Sequence, residues 1–110
     1  MISQREIVLL PFPFSDLRSS KVRPVVVVSN DEYNKKSEDM IVVPMTTNLD
    51  LREYALLVTN KDLESGKLIK DSKIKVDRIF SINRKIIKMK IGKVKEEIMN
   101  MIKEELYKLF

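Results

Sequence analysis

The chain has no cysteine and no histidine, and each absence removes a body of chemistry. Without cysteine there is no disulfide, no thiolate nucleophile and no cysteine-held zinc, and nothing ties the fold to an oxidising compartment. Without histidine there is no Ser-His-Asp triad, no two-histidine ribonuclease mechanism and no histidine-ligated metal. The acidic residues are scattered and form no D-x-D-type cluster, so neither a metal nor a cofactor is expected. No apolar stretch approaches the ~18 residues of a membrane span. The opening MISQREIVLL also lacks a long apolar core and a small-residue cleavage site. The expectation is a cytoplasmic protein with no membrane partner, whose chemistry comes from Arg, Lys, Asp, Glu, Ser, Thr or Tyr.

What is present is a chain of 110 residues, read as one domain over residues 1–110. At that size about two-thirds of the unfolded chain's surface can be buried. Lys and Arg number 21 against 16 Asp and Glu, a formal charge of +5 with a sequence pI near 9.5, which leans towards a polyanionic partner. Much of that charge is interleaved Lys and Glu near the C-terminus, where it also serves to solvate a helix.

The hydrophobic pattern predicts mostly strands. EIVLLPF (6–12) is a first strand ended by Pro11 and Pro13, followed by the polar loop FSDLRSS. PVVVVSN (24–30) and DMIVVPMTT (39–47) carry continuous apolar runs, which imply burial on both faces. DEYNKKSE between them is a turn or short helical loop. EYALLVT (53–59) is a fourth strand, NKDLESG a turn or single helical turn closed by Gly66, residues 71–83 contain a fifth strand, and 85–94 add a short one. Val94, Ile98, Ile102, Leu106 and Leu109 then recur at three- and four-residue spacing, the period of an amphipathic helix. The predicted fold is mainly β with a C-terminal helix, a small, partly open barrel. A domain this small has difficulty covering both faces of two valine-rich strands, so a homodimer is expected.

Three stretches are candidates for chemistry. In KVRPVVVV, Arg23 precedes a proline, so its backbone is extended and its side chain leaves a stiff strand entrance. A guanidinium mounted in that way can clamp a phosphate with its planar fork, although a solvated arginine at a loop edge fits the same letters. In VVPMTTN, a buried strand finishes in Thr46, Thr47 and Asn48, short hydrogen-bonding groups on a rigid element, which are equally ordinary strand-end and turn residues. In PFPFSDLRSSK, Phe12 suits the core, while Phe14 can stack an unpaired base or plug the barrel end.

Taken together, FPFSDL, SKVRPVVVVSN, YNKKS, VVPMTTN, DSKIKVDRIFSI and a last helix resemble the PemK/MazF family of toxin endoribonucleases, in the family's order and over almost the whole chain. The resemblance implies an SH3-like barrel that forms a homodimer and cuts single-stranded RNA at short sequences without a metal, leaving a 2′,3′-cyclic phosphate and a 5′-hydroxyl. It puts the catalytic arginine on Arg23 and the catalytic threonine on Thr46, with Phe14, Lys21, Ser29, Thr47 and Asn48 as further RNA contacts. It also implies a cognate antitoxin whose acidic tail folds into the RNA groove. The general base is left open, with Asp16 and Asp31 as acidic residues that could approach. The chain departs from the family pattern in having Arg5-Glu6 where Gly-Asp usually leads into the first strand, and Ser19-Ser20 where glycine often precedes the Lys-x-Arg-Pro stretch. Two rivals share the fold: a module that holds nucleic acid or antitoxin without cutting, and a CcdB-type inhibitor of DNA gyrase.

Overall fold

The computed structural model describes residues 2–12, 21–50 and 53–110, the side chains of Phe12 and Lys21 excepted. Within these, β1 (Glu6–Phe12) and β2 (Lys21–Val27) lead to a short helix α1 (Asp31–Lys36) and the long strand β3 (Asp39–Thr46). β4 (Ala55–Val58), β5 (Leu63–Gly66), β6 (Ser72–Lys75), β7 (Phe80–Asn83) and β8 (Met89–Val94) follow, and α2 (Glu96–Tyr107) closes the chain. The strands form one sheet in the order β4-β6-β3-β2-β1-β8-β5, with β7 joined to β3. The mainly β fold with a C-terminal helix is therefore as predicted, a half-barrel of antiparallel strands. Among the described residues no helix is long and apolar enough to cross a membrane.

Strand alternation builds two apolar layers from the central strands. Val26 and Val28 join Val43, Met45, Ile74 and the Ile98, Met99 and Ile102 face of α2. Val25 and Val27 point the other way, to Val8, Leu10, Met40, Val42 and Ile82. All four valines of 25–28 are buried, each contributing about 1.5–3 kcal/mol. Burial on both faces is thus met within a single chain, which corrects the premise from which a second copy was expected. α2 carries Glu96 and Glu97 in its first turn, where carboxylates favour the helix dipole. The three- and four-residue pattern overshoots this helix at both ends, since Val94 is a strand residue and Leu109 lies exposed beyond the last turn.

Two elements differ from the sequence pattern. LESG forms β5, which pairs with β8; only Leu63 of its four residues is buried, so it shows no alternation to detect. Residues 71–83 hold two strands rather than one, separated by a 3₁₀ turn at Val76–Arg78. That turn lets both strands use β3: β7 pairs with its first half, Asp39 to Val42, and β6 with Met45 and Thr46. The interruption falls at Val43 and Pro44, where the proline has no N–H to offer a ladder.

Arg5, where the resembling family usually has glycine, stands at φ +80°, a left-handed conformation that costs an ordinary side chain of order 1–3 kcal/mol. Its surroundings hold it there. Its N–H donates to Val27 O (2.8 Å), its carbonyl accepts from Val94 N–H (3.0 Å), and its guanidinium donates to Glu64 Oε1 and Val94 O (3.1 Å each).

Beyond β2, Ser29 and Asn34 lock α1 to the sheet. Ser29 Oγ donates to Asn34 Oδ1 (2.5 Å) and accepts from Ile41 N–H (3.0 Å), while Asn34 Nδ2 donates to Ser29 O (2.9 Å). Both residues are buried. Asn34→Ala is expected to strand the Ser29 groups and cost about 1–3 kcal/mol. Urea unfolding checks this, as a lower midpoint at an unchanged m-value.

Candidate active site

β2 and β3 run antiparallel with Val25 opposite Pro44 and Val27 opposite Val42. Continued by two residues, that register sets Arg23 opposite Thr46. Arg23 is in step with Val25 and Val27, and Thr46 with Met40 and Val42, so alternation puts both side chains on one face of the sheet. Beyond Val25 and Pro44 the two strands keep their outer partners, Leu10 for Arg23 and Lys73 for Thr46.

Two cavities meet at this pair. The larger, ≈ 460 Å³, is lined by Arg23, Pro44 and Thr46 from the central strands and by Lys75, Asp77, Arg78 and Phe80 from the β6–β7 stretch. The smaller, ≈ 320 Å³, shares Arg23 and Thr46 and adds Val22, Pro24, Thr47 and Ser72. Among the described residues, three cations against one carboxylate make the larger cavity attractive to a polyanion. Buried Val76, whose N–H donates to Tyr54 O (2.9 Å), anchors the turn that carries Asp77 and Arg78.

The hydroxyl of Thr46 is oriented by its neighbours. Its Oγ1 accepts the Asn48 N–H (3.2 Å), which leaves the hydroxyl proton to be donated elsewhere. Asn48 Oδ1 in turn accepts from Asp50 N–H (3.1 Å), closing an Asx turn. Lys73, paired with Thr46 across β3 and β6, lies buried and donates from Nζ to the Asp50 carbonyl, tying down the segment that follows Thr46.

Arg23, Thr46 and Thr47 therefore share one place, with Asn48 beside them in the turn. Ser29 does not. It lies six residues along from Arg23, roughly 20 Å for an extended strand, buried, with its hydroxyl bonded to Asn34 and Ile41. Its side chain serves the fold and lines neither cavity. Lys21 is placed by its backbone, opposite Phe12 at the start of β2. Phe14 and Asp16 lie outside the described residues. Asp31 is at the start of α1, where it accepts the Gln4 N–H (2.8 Å), and lines neither cavity.

Lys73, Lys75, Asp77 and Arg78 were not singled out from the sequence. The two lysines were legible: in SKIK they alternate with Ser72 and Ile74, so one face of β6 is cationic and the other joins the core. Asp77 and Arg78 were hidden, because a single strand over 71–83 would have pointed them to opposite sides.

Comparison with known proteins places the chain in a family. Residues 3–110 match the family described as PemK-like, MazF-like toxin of type II toxin-antitoxin system. The chain is 33% identical over 89 residues to the endoribonuclease MazF of Staphylococcus epidermidis, covering 79% of this chain and 72% of that protein. Among solved structures, an endoribonuclease in complex with its cognate antitoxin from a mycobacterial species superposes with a TM-score of 0.79 at 18% identity, over 98% of this chain and 93% of that one. The Mycobacterium tuberculosis toxin MazF-mt6 gives a TM-score of 0.77 at 17% identity, over 94% of each chain. At such identities these two likenesses speak for the fold.

Proposed function

The chain belongs to the PemK-like, MazF-like toxin family, and from that premise we propose that it is a metal-independent endoribonuclease that cuts single-stranded RNA at the Arg23–Thr46 site. The observation that carries this is the sharing of both cavities by Arg23 and Thr46, with Lys75 and Arg78 beside them. A guanidinium fork and a hydroxyl with its proton free to donate are two donors for the oxygens of one phosphate.

In this reading the ribose 2′-oxygen attacks the adjacent phosphorus and the bond from phosphorus to the 5′-oxygen breaks, leaving a 2′,3′-cyclic phosphate. Arg23 and Thr46 stabilise the charge that grows on the phosphoryl oxygens. Asp77 is the one carboxylate lining either cavity among the described residues. It takes the 2′-hydroxyl proton, the role for which Asp16 and Asp31 had been considered, and the departing 5′-oxygen receives a proton from solvent. Lys75 and Arg78 hold the neighbouring phosphates. Asp77→Asn is expected to lower the single-turnover cleavage rate by about 10²-fold or more. Its affinity for an uncleavable 2′-O-methyl RNA should change little, and a parallel fall in affinity would assign Asp77 to binding instead.

The substrate, an RNA made inside the cell, goes with a cytoplasmic location. A homodimer that forms the RNA groove, and an antitoxin whose acidic segment occupies that groove, complete the proposal. It is supported by the solved mycobacterial complex with its antitoxin and by the cations around Arg23, which suit an acidic peptide as well as RNA. The reading is tested by incubating the purified protein with a long unstructured RNA and a DNA of matching sequence in EDTA. Discrete RNA fragments and intact DNA are expected. RNA that stays whole across varied sequences would overturn the ribonuclease, leaving a binding module, or a gyrase inhibitor if supercoiling activity falls.

A further inference from the structure

Lys73 is a buried cation that lines neither cavity. In the sheet it stands between Thr46 of β3 and Leu57 of β4, paired with both. It alternates with the core residue Ile74, so its side chain leaves on the face that carries Thr46. Taking an ammonium out of water is costly unless an anion accompanies it, and among the described residues no carboxylate forms an ion pair with Lys73. Its ammonium bonds instead to the Asp50 carbonyl. An apolar side chain of like length packs such a position without that cost, so packing alone does not account for the lysine.

The bond to Asp50 closes a ring. Thr46 Oγ1 accepts the Asn48 N–H (3.2 Å), Asn48 Oδ1 accepts the Asp50 N–H (3.1 Å), Asp50 O accepts from Lys73 Nζ, and Lys73 pairs back onto Thr46 across β3 and β6. Asn48, Leu49 and Asp50 are all exposed, so burial gives this turn little support and its place rests on the ring. The buried anchor of that ring is Lys73.

We propose that Lys73 is a positioning residue for the cleavage: by fixing the Asp50 carbonyl it holds the Asn48 turn, and with it the Thr46 hydroxyl, in the orientation that sends the hydroxyl proton to the scissile phosphate. The inference rests on the ribonuclease reading and deepens it. Lys73 touches no RNA; it acts through Asp50 and Asn48 on Thr46.

The test measures single-turnover cleavage, and binding of an uncleavable 2′-O-methyl RNA, for wild type, Lys73→Met, Asn48→Ala, Thr46→Val and each of the first two variants combined with Thr46→Val. Lys73→Met keeps the length of the side chain without the ammonium, and is expected to slow cleavage by about 10–10²-fold, the effect of a catalytic group held out of place. Its affinity for the uncleavable RNA, and the salt dependence of that affinity, should stay as in wild type. Asn48→Ala breaks the ring at an exposed residue, independently of any effect on the core, and should slow cleavage to a similar extent. Added to Thr46→Val, either change should slow cleavage no further, because the hydroxyl it positions is gone. Wild-type rates in both single variants, or losses that multiply with that of Thr46→Val, overturn the positioning role alone. A salt slope reduced by about 0.7 in Lys73→Met also overturns it, making Lys73 a phosphate contact. RNA that wild type leaves intact overturns the ribonuclease reading and the positioning role with it.

Discussion

Replacing Arg23 by alanine is expected to reduce the single-turnover cleavage rate by about 10²–10³-fold, the usual loss when a donor to a developing oxyanion is removed. The fold should not notice. Arg23 is exposed near the start of β2, and surface changes of this kind ordinarily stay within about 0.5 kcal/mol. RNA affinity should fall modestly, with the salt dependence of binding to single strands reduced by about 0.7 in slope for the one lost contact. Arg23→Lys keeps the charge but loses the planar fork, and should recover binding much better than rate. Single-turnover kinetics beside filter binding would separate these effects. Equal losses in rate and affinity for Arg23→Ala would mean that Arg23 only holds the RNA.

The second large effect concerns stability and lies far from the chemistry. The chain has only two glycines, and they face each other: Gly66 of β5 pairs with Gly92 of β8. Gly66 stands at φ +82°, and a Cβ there would sit 2.2 Å from Ile91 O and 2.3 Å from Gly92 Cα. Both contacts are with backbone, which cannot rotate away. Gly66→Ala therefore combines the strain of a left-handed residue with a forced separation of the strands, together on the order of 3 kcal/mol or more. A thermal melt should show a midpoint lower by roughly 10 °C or more for a domain of this size. An unchanged midpoint would mean that β5 contributes nothing to the cooperative unit.

How much of this was open to sequence reasoning varied with the kind of signal. The valine run and the Ile98–Ile102 face were plain, because burial imposes a period on side chains that the letters display. Thr46 ends its strand as read, whereas Arg23, read as standing just before a strand that opens at Pro24, is the third residue of β2, and their meeting shows in the cavities they share. β5 was invisible since it is held by backbone pairing and a glycine contact, which leave little hydrophobic trace. The break at Val76–Arg78 escaped for a similar reason: its cause is the need of β3 to serve two partners, a tertiary demand that no local window contains. For Ser29 the letters were silent, since a hydroxyl near a strand end looks alike whether it faces a ligand or, as here, Asn34 and Ile41. Arg5 at φ +80° is the opposite case, a conformation suited to glycine that an ordinary residue adopts through its contacts with Val27, Glu64 and Val94.

The most direct test of the central claim, that Arg23 and Thr46 support attack by the ribose 2′-oxygen on its own phosphate, uses one short RNA spanning a mapped cut. It is compared in EDTA with the same RNA carrying a single 2′-deoxynucleotide immediately before that cut, and the product ends are read by mass spectrometry. The account predicts that the all-ribose strand yields a 2′,3′-cyclic phosphate and a 5′-hydroxyl while the deoxy strand stays whole. Cleavage of the deoxy strand, or products ending in a 3′-hydroxyl and a 5′-phosphate, would contradict it.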